Sequence, residues 1–224
     1  MKTFDLSVYL VLDPLLCRDL SMVETTRAAV AGGATMVQLR DKEAGTARMI
    51  ETGRALKTAL ARTGVPLIVN DDVEAAIAIA ADGLHVGQED MAAAEARRRI
   101  GTDMILGLSI ETPGAARAMD GAAVDYVGIG PVFATPTKTD HKPPIGFGGL
   151  ADLVRLCNLP AVAIGGLKVE HAADVIAAGA EGLAVISAIC GQPDPRAEAA
   201  RIADAVRSAR ARGNDAAAHG RARP

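Results

Sequence analysis

The sequence predicts a single α/β domain folded as a (β/α)8 barrel, and three observations lead to that expectation. Short apolar runs alternate with alanine-rich, helix-like stretches from residue 7 to residue 211 of the 224-residue chain. The apolar runs contain few polar residues, which is typical of parallel strands covered on both faces. Glycines such as Gly32, Gly121 and Gly179 stand just before the next apolar run, where helices commonly end. Eight such units favour a closed barrel, with a doubly wound open sheet as the rival fold.

The predicted elements follow one another in a regular order. The strands are short apolar runs bounded by glycine or polar residues, at 7–12, 36–39, 67–69, 83–86, 105–108, 126–129, 161–164 and 182–185. The helices lie between them and after the last strand, at 21–31, 44–62, 73–80, 91–100, 112–118, 149–157, 169–178 and 195–211. We expect one barrel domain over residues 1–212. Residues 213–224 are rich in Ala, Arg and Gly and have no apolar face, so disorder is expected there.

Composition argues against several classes of function. The formal net charge is −3 and aromatic residues make up 2% without any Trp, so a nucleic-acid partner is not expected. Cys17, Cys157 and Cys190 lie far apart without a CxxC motif, which argues against a zinc cluster or a disulfide framework. Neither a signal segment nor an apolar run of roughly 18 residues is recognisable. The sequence therefore predicts a cytoplasmic protein with small-molecule ligands and no membrane partner; a homo-oligomer is compatible with it.

Charged residues at the end of the second strand predict an anion site. The active site of a (β/α)8 barrel lies where the strands end and the helices begin. The second strand ends in Gln38-Leu39-Arg40-Asp41-Lys42. Alternation along the strand places Gln38, Arg40 and Lys42 on one side, so two cations converge on one place. A solvated strand end is the alternative interpretation.

Carboxylates at the next two strand ends predict a metal site. The third strand is followed by Asn70-Asp71-Asp72, and the segment after the fourth ends in Asp90. Carboxylates near a polyphosphate suit Mg²⁺, which prefers oxygen ligands. Asp72 is expected to cap the following helix, so Asp71 and Asp90 are the predicted ligands. His85 lies on the fourth strand, where a structural role is expected rather than a catalytic one.

The loop after the sixth strand predicts a second anion-binding segment. Gly128 and Gly130 let backbone amides approach a ligand closely, and Thr135, Thr137 and Lys138 supply donors without a carboxylate. Such a loop suits a phosphate.

The last two strand ends predict the phosphate pocket that is typical of these barrels. Gly165-Gly166 follows the seventh strand, and Ile186 and Ser187 end the eighth at the expected start of a helix. Ser109, at the end of the fifth strand, is a further candidate for a hydrogen bond to a phosphate or a ring substituent.

Taken together, these residues predict a substitution with a diphosphate leaving group. No Ser-His-Asp or Cys-His arrangement can be assembled from the sequence, so covalent catalysis is not expected. Arg40, Lys42, Lys138 and Mg²⁺ would hold the diphosphate, while a second phosphorylated molecule binds at Gly166 and Ser187. The enzyme would then stabilise the departing charge and align the two substrates.

Seven motifs taken together resemble those of the thiamine-phosphate synthase family. They are QLRDK (38–42), NDD (70–72), HVGQED (85–90), GLS (107–109), GPVFATPTK (130–138), AIGG (163–166) and VISAI (185–189). The resemblance covers nearly the whole chain, residues 9–190. One departure is Ala134, which stands where the family often has proline and removes no ligand group.

The resemblance implies a TIM-barrel transferase that joins a hydroxymethylpyrimidine diphosphate to a thiazole phosphate with Mg²⁺. It also implies that diphosphate leaves first and that the thiazole nitrogen captures a pyrimidine-stabilised carbocation. The implied pyrimidine-diphosphate ligands are Gln38, Leu39, Arg40, Asp41, Lys42, Asn70, Ser109 and Lys138, of which Arg40, Lys42, Ser109 and Lys138 are the catalytic ones. The implied thiazole-phosphate ligands are Thr135, Pro136, Thr137, Gly166, Ile186 and Ser187, and the implied Mg²⁺ ligands are Asp71 and Asp90.

Two other functions stay open at this point. A thiazole tautomerase of the same barrel would need an acid–base residue but no diphosphate site, and the presence of Arg40, Lys42, Asp71, Asp90 and Lys138 argues against it. A non-catalytic sensor of thiamine phosphates would bind the same ligands without turnover.

Overall fold

The computed structural model describes residues 3–135 and 142–220, with side chains as far as residue 213, and contains a closed barrel of parallel strands. The strands are β1 (Val8–Leu12), β2 (Met36–Leu39), β3 (Leu67–Asn70), β4 (Gly83–Val86), β5 (Ile105–Ile110), β6 (Tyr126–Ile129), β7 (Ala161–Ile164) and β8 (Gly182–Val185). Because β1 pairs with both β2 and β8, no open sheet with two edges is formed. The predicted (β/α)8 fold is confirmed.

A helix follows each strand in the described chain and covers the outside of the barrel. The helices are α1 (Ser21–Ala31), α2 (Thr46–Leu60), α3 (Val73–Ala78), α4 (Ala93–Ile100), α5 (Pro113–Ala118), α6 (Gly146–Cys157), α7 (Ala172–Ala177, after a 3₁₀ turn at Val169–His171) and α8 (Pro195–Gly220). In the parts of the chain that the structure describes, none of these helices has the length and apolarity needed to cross a membrane.

The closed sheet separates two apolar cores. Tyr9, Met36 and Ile68 pack inside the barrel, whereas Leu10 and Val37 pack between the strands and the helices. Neighbouring residues alternate between the cores because side chains of a strand point to its two faces in turn. This alternation decides which side chains at the strand ends reach the mouth of the barrel.

Strand β5 continues beyond its predicted end at residue 108. Ser109 pairs with Gly128 and Ile110 with Ile129 on β6. Ser109 therefore lies within the strand, and its hydroxyl faces the barrel interior, where it contacts His85.

Helix α8 also exceeds its predicted span of 195–211. Its backbone is helical to Gly220, because the Ala and Arg residues of this segment are strong helix formers. The disorder expected over residues 213–224 stays a prediction, and residues 221–224 lie outside the described part. The domain boundary at residue 212 stays a prediction.

Candidate active site

The end of β2 carries the predicted cations to the mouth of the barrel. Gln38 is only 4% exposed and lies on the interior side of the strand. Arg40 and Lys42 continue the same alternation and line one pocket with Gln38. The structure thus brings these three predicted residues together.

Leu39 and Asp41 lie between those residues, and their side chains do not line the pocket. Leu39 is fully buried in the outer core. The Asp41 carboxylate orders the turn after β2, where it accepts a hydrogen bond from the Glu43 amide at 3.2 Å. A role of these two residues in ligand binding therefore rests on their backbone groups.

Asp71 and Asp90 meet at the ends of β3 and β4. Their carboxyl groups are hydrogen-bonded to each other. Asn70 donates from Nδ2 to Oδ2 of Asp71 at 2.5 Å, and the Gly87 amide donates to Oδ2 of Asp90 at 2.7 Å. Asp71 has a left-handed backbone with φ of 63°, a costly conformation for a residue other than glycine that clusters at functional sites. The two predicted metal ligands are in contact.

The two carboxyl groups respond oppositely to this contact. Burial, followed by the hydrogen bond and charge of Asp90, raises the pKa of Asp71 to about 7. Burial also opposes ionisation of Asp90, but hydrogen bonds from Asp71 and Gly87 and the charge of Lys42 outweigh it and lower the pKa of Asp90. Two carboxylates this close repel each other unless a proton or a cation lies between them.

Asp72 has a different role from its neighbour Asp71. It is the N-cap of α3, and its Oδ1 accepts a hydrogen bond from the Ala75 amide at 2.8 Å. The capping prediction for Asp72 is confirmed. Asp90 does not cap α4, whose N-cap residue is Ala92.

A chain of polar side chains crosses the barrel interior at the floor of the pocket, which Tyr9 and His85 also line. Gln38 donates from Nε2 to the Tyr9 hydroxyl at 2.8 Å, and that hydroxyl lies 2.8 Å from the hydroxyl of Tyr126. His85 continues the chain, with Nδ1 2.9 Å from the Tyr126 hydroxyl and Nε2 2.9 Å from Oγ of Ser109. Tyr9 and Tyr126 are not among the residues that the sequence predicts.

The sequence argues against a Ser-His-Asp or Cys-His arrangement. The structure holds a Ser–His pair, formed by Ser109 and His85. Its third member is the neutral hydroxyl of Tyr126 rather than a carboxylate. Burial raises the pKa of Tyr126 well above its ordinary value, so this hydroxyl does not supply the negative charge that orients and stabilises a catalytic histidine in a Ser-His-Asp triad.

Glycine turns after β7 form another side of the pocket. Gly165 and Gly166 have φ of 100° and 63° and line the pocket. A Cβ at Gly166 would lie 2.8 Å from the carbonyl oxygen of Ala134 and 2.8 Å from Cβ of Phe133. Both the backbone angle and the space therefore require glycine at this position.

Ile186 and Ser187 follow β8 and line the pocket as predicted, but the predicted helix start is wrong. Residues 187–191 form turns, and α8 begins only at Pro195. A single helix-like turn remains, in which the Cys190 amide donates to the Ile186 carbonyl at 2.8 Å.

The loop after β6 is described only in part. Thr135 lines the pocket. Pro136, Thr137 and Lys138 lie outside the described residues, so their roles stay predictions.

One pocket thus collects the predicted site residues that the structure describes, apart from Leu39 and Asp41. They are Gln38, Arg40, Lys42, Asn70, Asp71, Asp90, Ser109, Thr135, Gly166, Ile186 and Ser187. Glu111, just after β5, also lines this pocket and is not predicted from the sequence.

Fold and pocket together define a class of protein, a (β/α)8-barrel enzyme whose strand ends form a polar site for small anionic molecules. A family model described as thiamine monophosphate synthase matches residues 8–189. The thiamine-phosphate synthase of Xanthobacter autotrophicus is 49% identical over 209 residues, which cover 93% of this chain and 99% of that protein. The thiamine-phosphate synthase of Moorella thermoacetica is 43% identical over 210 residues, which cover 94% and 99%.

The chain belongs to the thiamine monophosphate synthase family. It is an enzyme, a transferase of thiamine biosynthesis, and its function is the synthesis of thiamine phosphate. A solved structure agrees: the thiamine phosphate pyrophosphorylase from Pyrococcus furiosus superposes with a TM-score of 0.82 at 34% identity, over 91% of this chain and 96% of that chain.

Proposed function

We propose that the barrel mouth transfers the 4-amino-2-methylpyrimidinylmethyl group from its diphosphate to 4-methyl-5-(2-phosphooxyethyl)thiazole. The bond from the methylene carbon to the diphosphate oxygen breaks, and a bond from that carbon to the thiazole nitrogen forms. Thiamine phosphate and pyrophosphate are the products. The observation that carries this assignment is a single pocket that joins cations and a carboxylate pair after β2–β4 to glycine-rich turns after β7 and β8.

Arg40 and Lys42 are assigned to the diphosphate, with Lys138 joining them from the sixth loop. A guanidinium group binds phosphate oxygens in bidentate fashion, and an ammonium group adds a point charge. Negative charge grows on the diphosphate as the carbon–oxygen bond breaks. These cations therefore stabilise the transition state more than the ground state.

Asp71 and Asp90 fit a Mg²⁺ ion beside that diphosphate. Their touching carboxyl groups offer hard oxygen ligands. Within the described ranges, no group of three or more His, Cys, Asp or Glu side chains is placed to hold a metal ion, so the protein would supply two ligands here. A pair of protein ligands leaves positions for phosphate oxygens and water, as Mg²⁺ sites at phosphates usually do. When bound, Mg²⁺ would neutralise charge that develops on the diphosphate.

The pyrimidine ring is assigned to the deeper part of the pocket, between Gln38 and Ser109. Both side chains face the pocket from β2 and β5 and are held from below by hydrogen bonds. Asn70 at the end of β3 donates to Asp71, so it connects the ring site to the metal ligands.

The thiazole phosphate is assigned to the turns after β7 and β8. Turns with left-handed residues such as Gly166 direct successive amides to one place, which suits a phosphate. Ser187 adds a hydroxyl donor and Ile186 an apolar contact. Thr135, with Pro136 and Thr137 from the sixth loop, would complete this site.

The substitution is proposed to be dissociative. Diphosphate bound to cations and Mg²⁺ is a good leaving group, and the amino group of the pyrimidine donates electron density to the methylene cation. The protein then needs to hold both substrates in line rather than to supply a nucleophile. Ser109 would contact the ring, and His85 would orient the Ser109 hydroxyl.

A turnover assay with both substrates and Mg²⁺ tests this proposal. Thiamine phosphate and pyrophosphate should appear in equal amounts, and omission of either substrate or chelation of Mg²⁺ should stop product formation. Binding of both ligands without pyrophosphate release would instead identify a sensor. Isomerisation of a thiazole phosphate without any need for Mg²⁺ would identify a tautomerase.

A further inference from the structure

The polar chain at the floor of the pocket connects the two residues assigned to opposite edges of the pyrimidine. It runs from Gln38 through Tyr9, Tyr126 and His85 to Ser109, with donor–acceptor distances of 2.8, 2.8, 2.9 and 2.9 Å. Its inner members are buried: Tyr9 is 1%, Tyr126 0% and His85 7% exposed. Distances this short at every link make the chain a continuous hydrogen-bonded unit.

The backbone of β5 and β6 lies so close to the rings of His85 and Tyr126 that glycine is needed beside them. A Cβ at Gly107 would lie 2.2 Å from Cζ of Tyr126 and 2.4 Å from Nδ1 of His85. A Cβ at Gly128 would lie 3.2 Å from Cε1 of His85. The rings of His85 and Tyr126 also pack on each other, with centroids 5.5 Å apart. Glycines in two adjacent strands thus make space for this arrangement.

With His85 as the neutral imidazole, each inner member brings one proton to the chain, so the direction of the first bond fixes all the others. Burial raises the pKa of Tyr9 and of Tyr126, and both keep their phenol protons. A neutral imidazole has one N–H donor and one acceptor nitrogen. When Gln38 donates to Tyr9, the Tyr9 hydroxyl donates to the Tyr126 hydroxyl, and the Tyr126 hydroxyl donates to Nδ1 of His85. Nε2 of His85 then carries the ring proton and donates to Ser109.

This direction determines what the two ends of the chain offer to a ligand. Because the amide nitrogen of Gln38 is bound to the Tyr9 hydroxyl, Gln38 presents its carbonyl oxygen, an acceptor, to the pocket. Ser109 already accepts from His85, so its hydroxyl proton is available as a donor. The reverse direction would exchange both roles, giving an amide donor at Gln38 and an acceptor at Ser109.

We infer that Tyr9, Tyr126 and His85 are positioning residues that make the pocket selective for an amino-substituted pyrimidine. The inference rests on the proposed placement of the ring between Gln38 and Ser109. An amino group donates to the Gln38 carbonyl oxygen, and a ring nitrogen accepts from Ser109. A 4-oxo ring presents an acceptor where the amino group presents donors, and the chain must reverse at every link to accommodate it.

The test compares the amino substrate with its 4-oxo analogue, both as diphosphates, in Tyr126→Phe and Tyr9→Phe. Each change removes one hydroxyl and with it two links of the chain, of which the link between Tyr9 and Tyr126 is common to both variants. We expect the wild-type enzyme to prefer the amino substrate in kcat/KM, on the order of 10²- to 10⁴-fold. Each Phe variant should lower that preference by about tenfold or more. The intrinsic reactivity difference between the two rings is the same for every variant, so the change in preference reports the pocket.

Thr26→Val is the matched control, because it also removes a buried hydroxyl. Oγ1 of Thr26 has no hydrogen-bond partner among the described residues and lies on α1, outside the pocket. This variant should keep the wild-type preference. A wild-type enzyme that forms no thiamine phosphate would refute the proposed function itself. An active wild type with an unchanged preference in both Phe variants, or loss of folding in both, would overturn the positioning role.

Discussion

At the scale of single residues, Asp71 and Asp72 adjoin in the sequence, yet the fold gives them different tasks. Asp71 contacts Asp90 in the pocket, whereas Asp72 accepts a hydrogen bond from the first turn of α3. The left-handed backbone of Asp71 turns the chain from the pocket towards the start of α3. A comparison of the two positions therefore separates metal binding from helix capping.

We predict that Asp71→Asn or Asp90→Asn raises the Mg²⁺ concentration needed for half-maximal turnover by about 10- to 100-fold or more, since even residues that only orient metal ligands have effects of that size. A Mg²⁺ titration of kcat checks this. Asp72→Asn is the control, because asparagine also caps helices well. Equal shifts in the Asp71 and Asp72 variants would contradict the assignment of the metal ligands.

Residues with charge at strand ends could be predicted from the sequence, but the interior hydroxyls could not. Arg40, Lys42 and Asp71 stand out where an apolar run stops. Tyr9 and Tyr126 lie inside apolar strands that are buried on both faces, so the pattern does not show which side chains face the barrel interior. Only the closed barrel, with its register, places the two hydroxyls 2.8 Å apart.

At the scale of elements, the turn after β7 depends on glycine for its shape. Gly166 has φ of 63°, and a Cβ there would lie 2.8 Å from both the Ala134 oxygen and Cβ of Phe133. The turn is therefore fixed against the loop after β6, and the two segments proposed to bind the thiazole phosphate support each other.

Gly166→Ala should weaken thiazole-phosphate binding by about tenfold or more, because the turn or the adjoining loop must shift to admit the methyl group. Titration with the thiazole phosphate alone measures this. Gly148→Ala on the exposed side of α6 is the control: a Cβ there meets nothing within 4 Å, and the change should leave binding unaltered. Unchanged binding in Gly166→Ala would show that this turn does not contribute to the site.

The elements themselves could largely be predicted, and the exceptions have local causes. All eight strands are where their apolar runs predict. The helix expected at Ser187 is absent because Gly191, with φ of 74°, and Pro193 interrupt the chain before α8. The apolar character of residues 185–189 does not distinguish a short turn from the start of a helix.

At the scale of the whole molecule, α8 joins the end of the barrel to its beginning. It packs against α1, which follows the first strand, and against α7. Ile202 and Val206 are 1% and 0% exposed in this contact. The last helix thus packs outside the place where β1 pairs with β8 and closes the barrel.

Ile202→Ala should lower the free energy of unfolding by about 2–5 kcal/mol, the usual cost of such a cavity in a core. Urea unfolding measures the change. Arg207→Ala on the exposed side of the same helix removes only a surface ion pair with Asp204 and should cost less than about 1 kcal/mol. Similar values for the two variants would mean that α8 adds little to barrel stability.

The division of the barrel mouth into two anion sites is the central claim about the whole molecule. We propose the ends of β2–β4 for the diphosphate and the ends of β7 and β8 for the thiazole phosphate. Lys138, from the sixth loop, is assigned to the diphosphate. Variants on the two sides should therefore impair different ligands.

The most direct test measures turnover and the dissociation constant of the thiazole phosphate in Arg40→Ala, Lys138→Ala and Ser187→Ala. Arg40→Ala and Lys138→Ala should each lower kcat by about 10²- to 10³-fold, as does the loss of one donor to a developing oxyanion, while thiazole-phosphate affinity stays near the wild-type value. Ser187→Ala should weaken thiazole-phosphate binding by about 10-fold or more, since it removes a hydrogen bond to a charged group. Unchanged turnover in Arg40→Ala and Lys138→Ala, or thiazole-phosphate binding lost as severely as in Ser187→Ala, would contradict the division of the site.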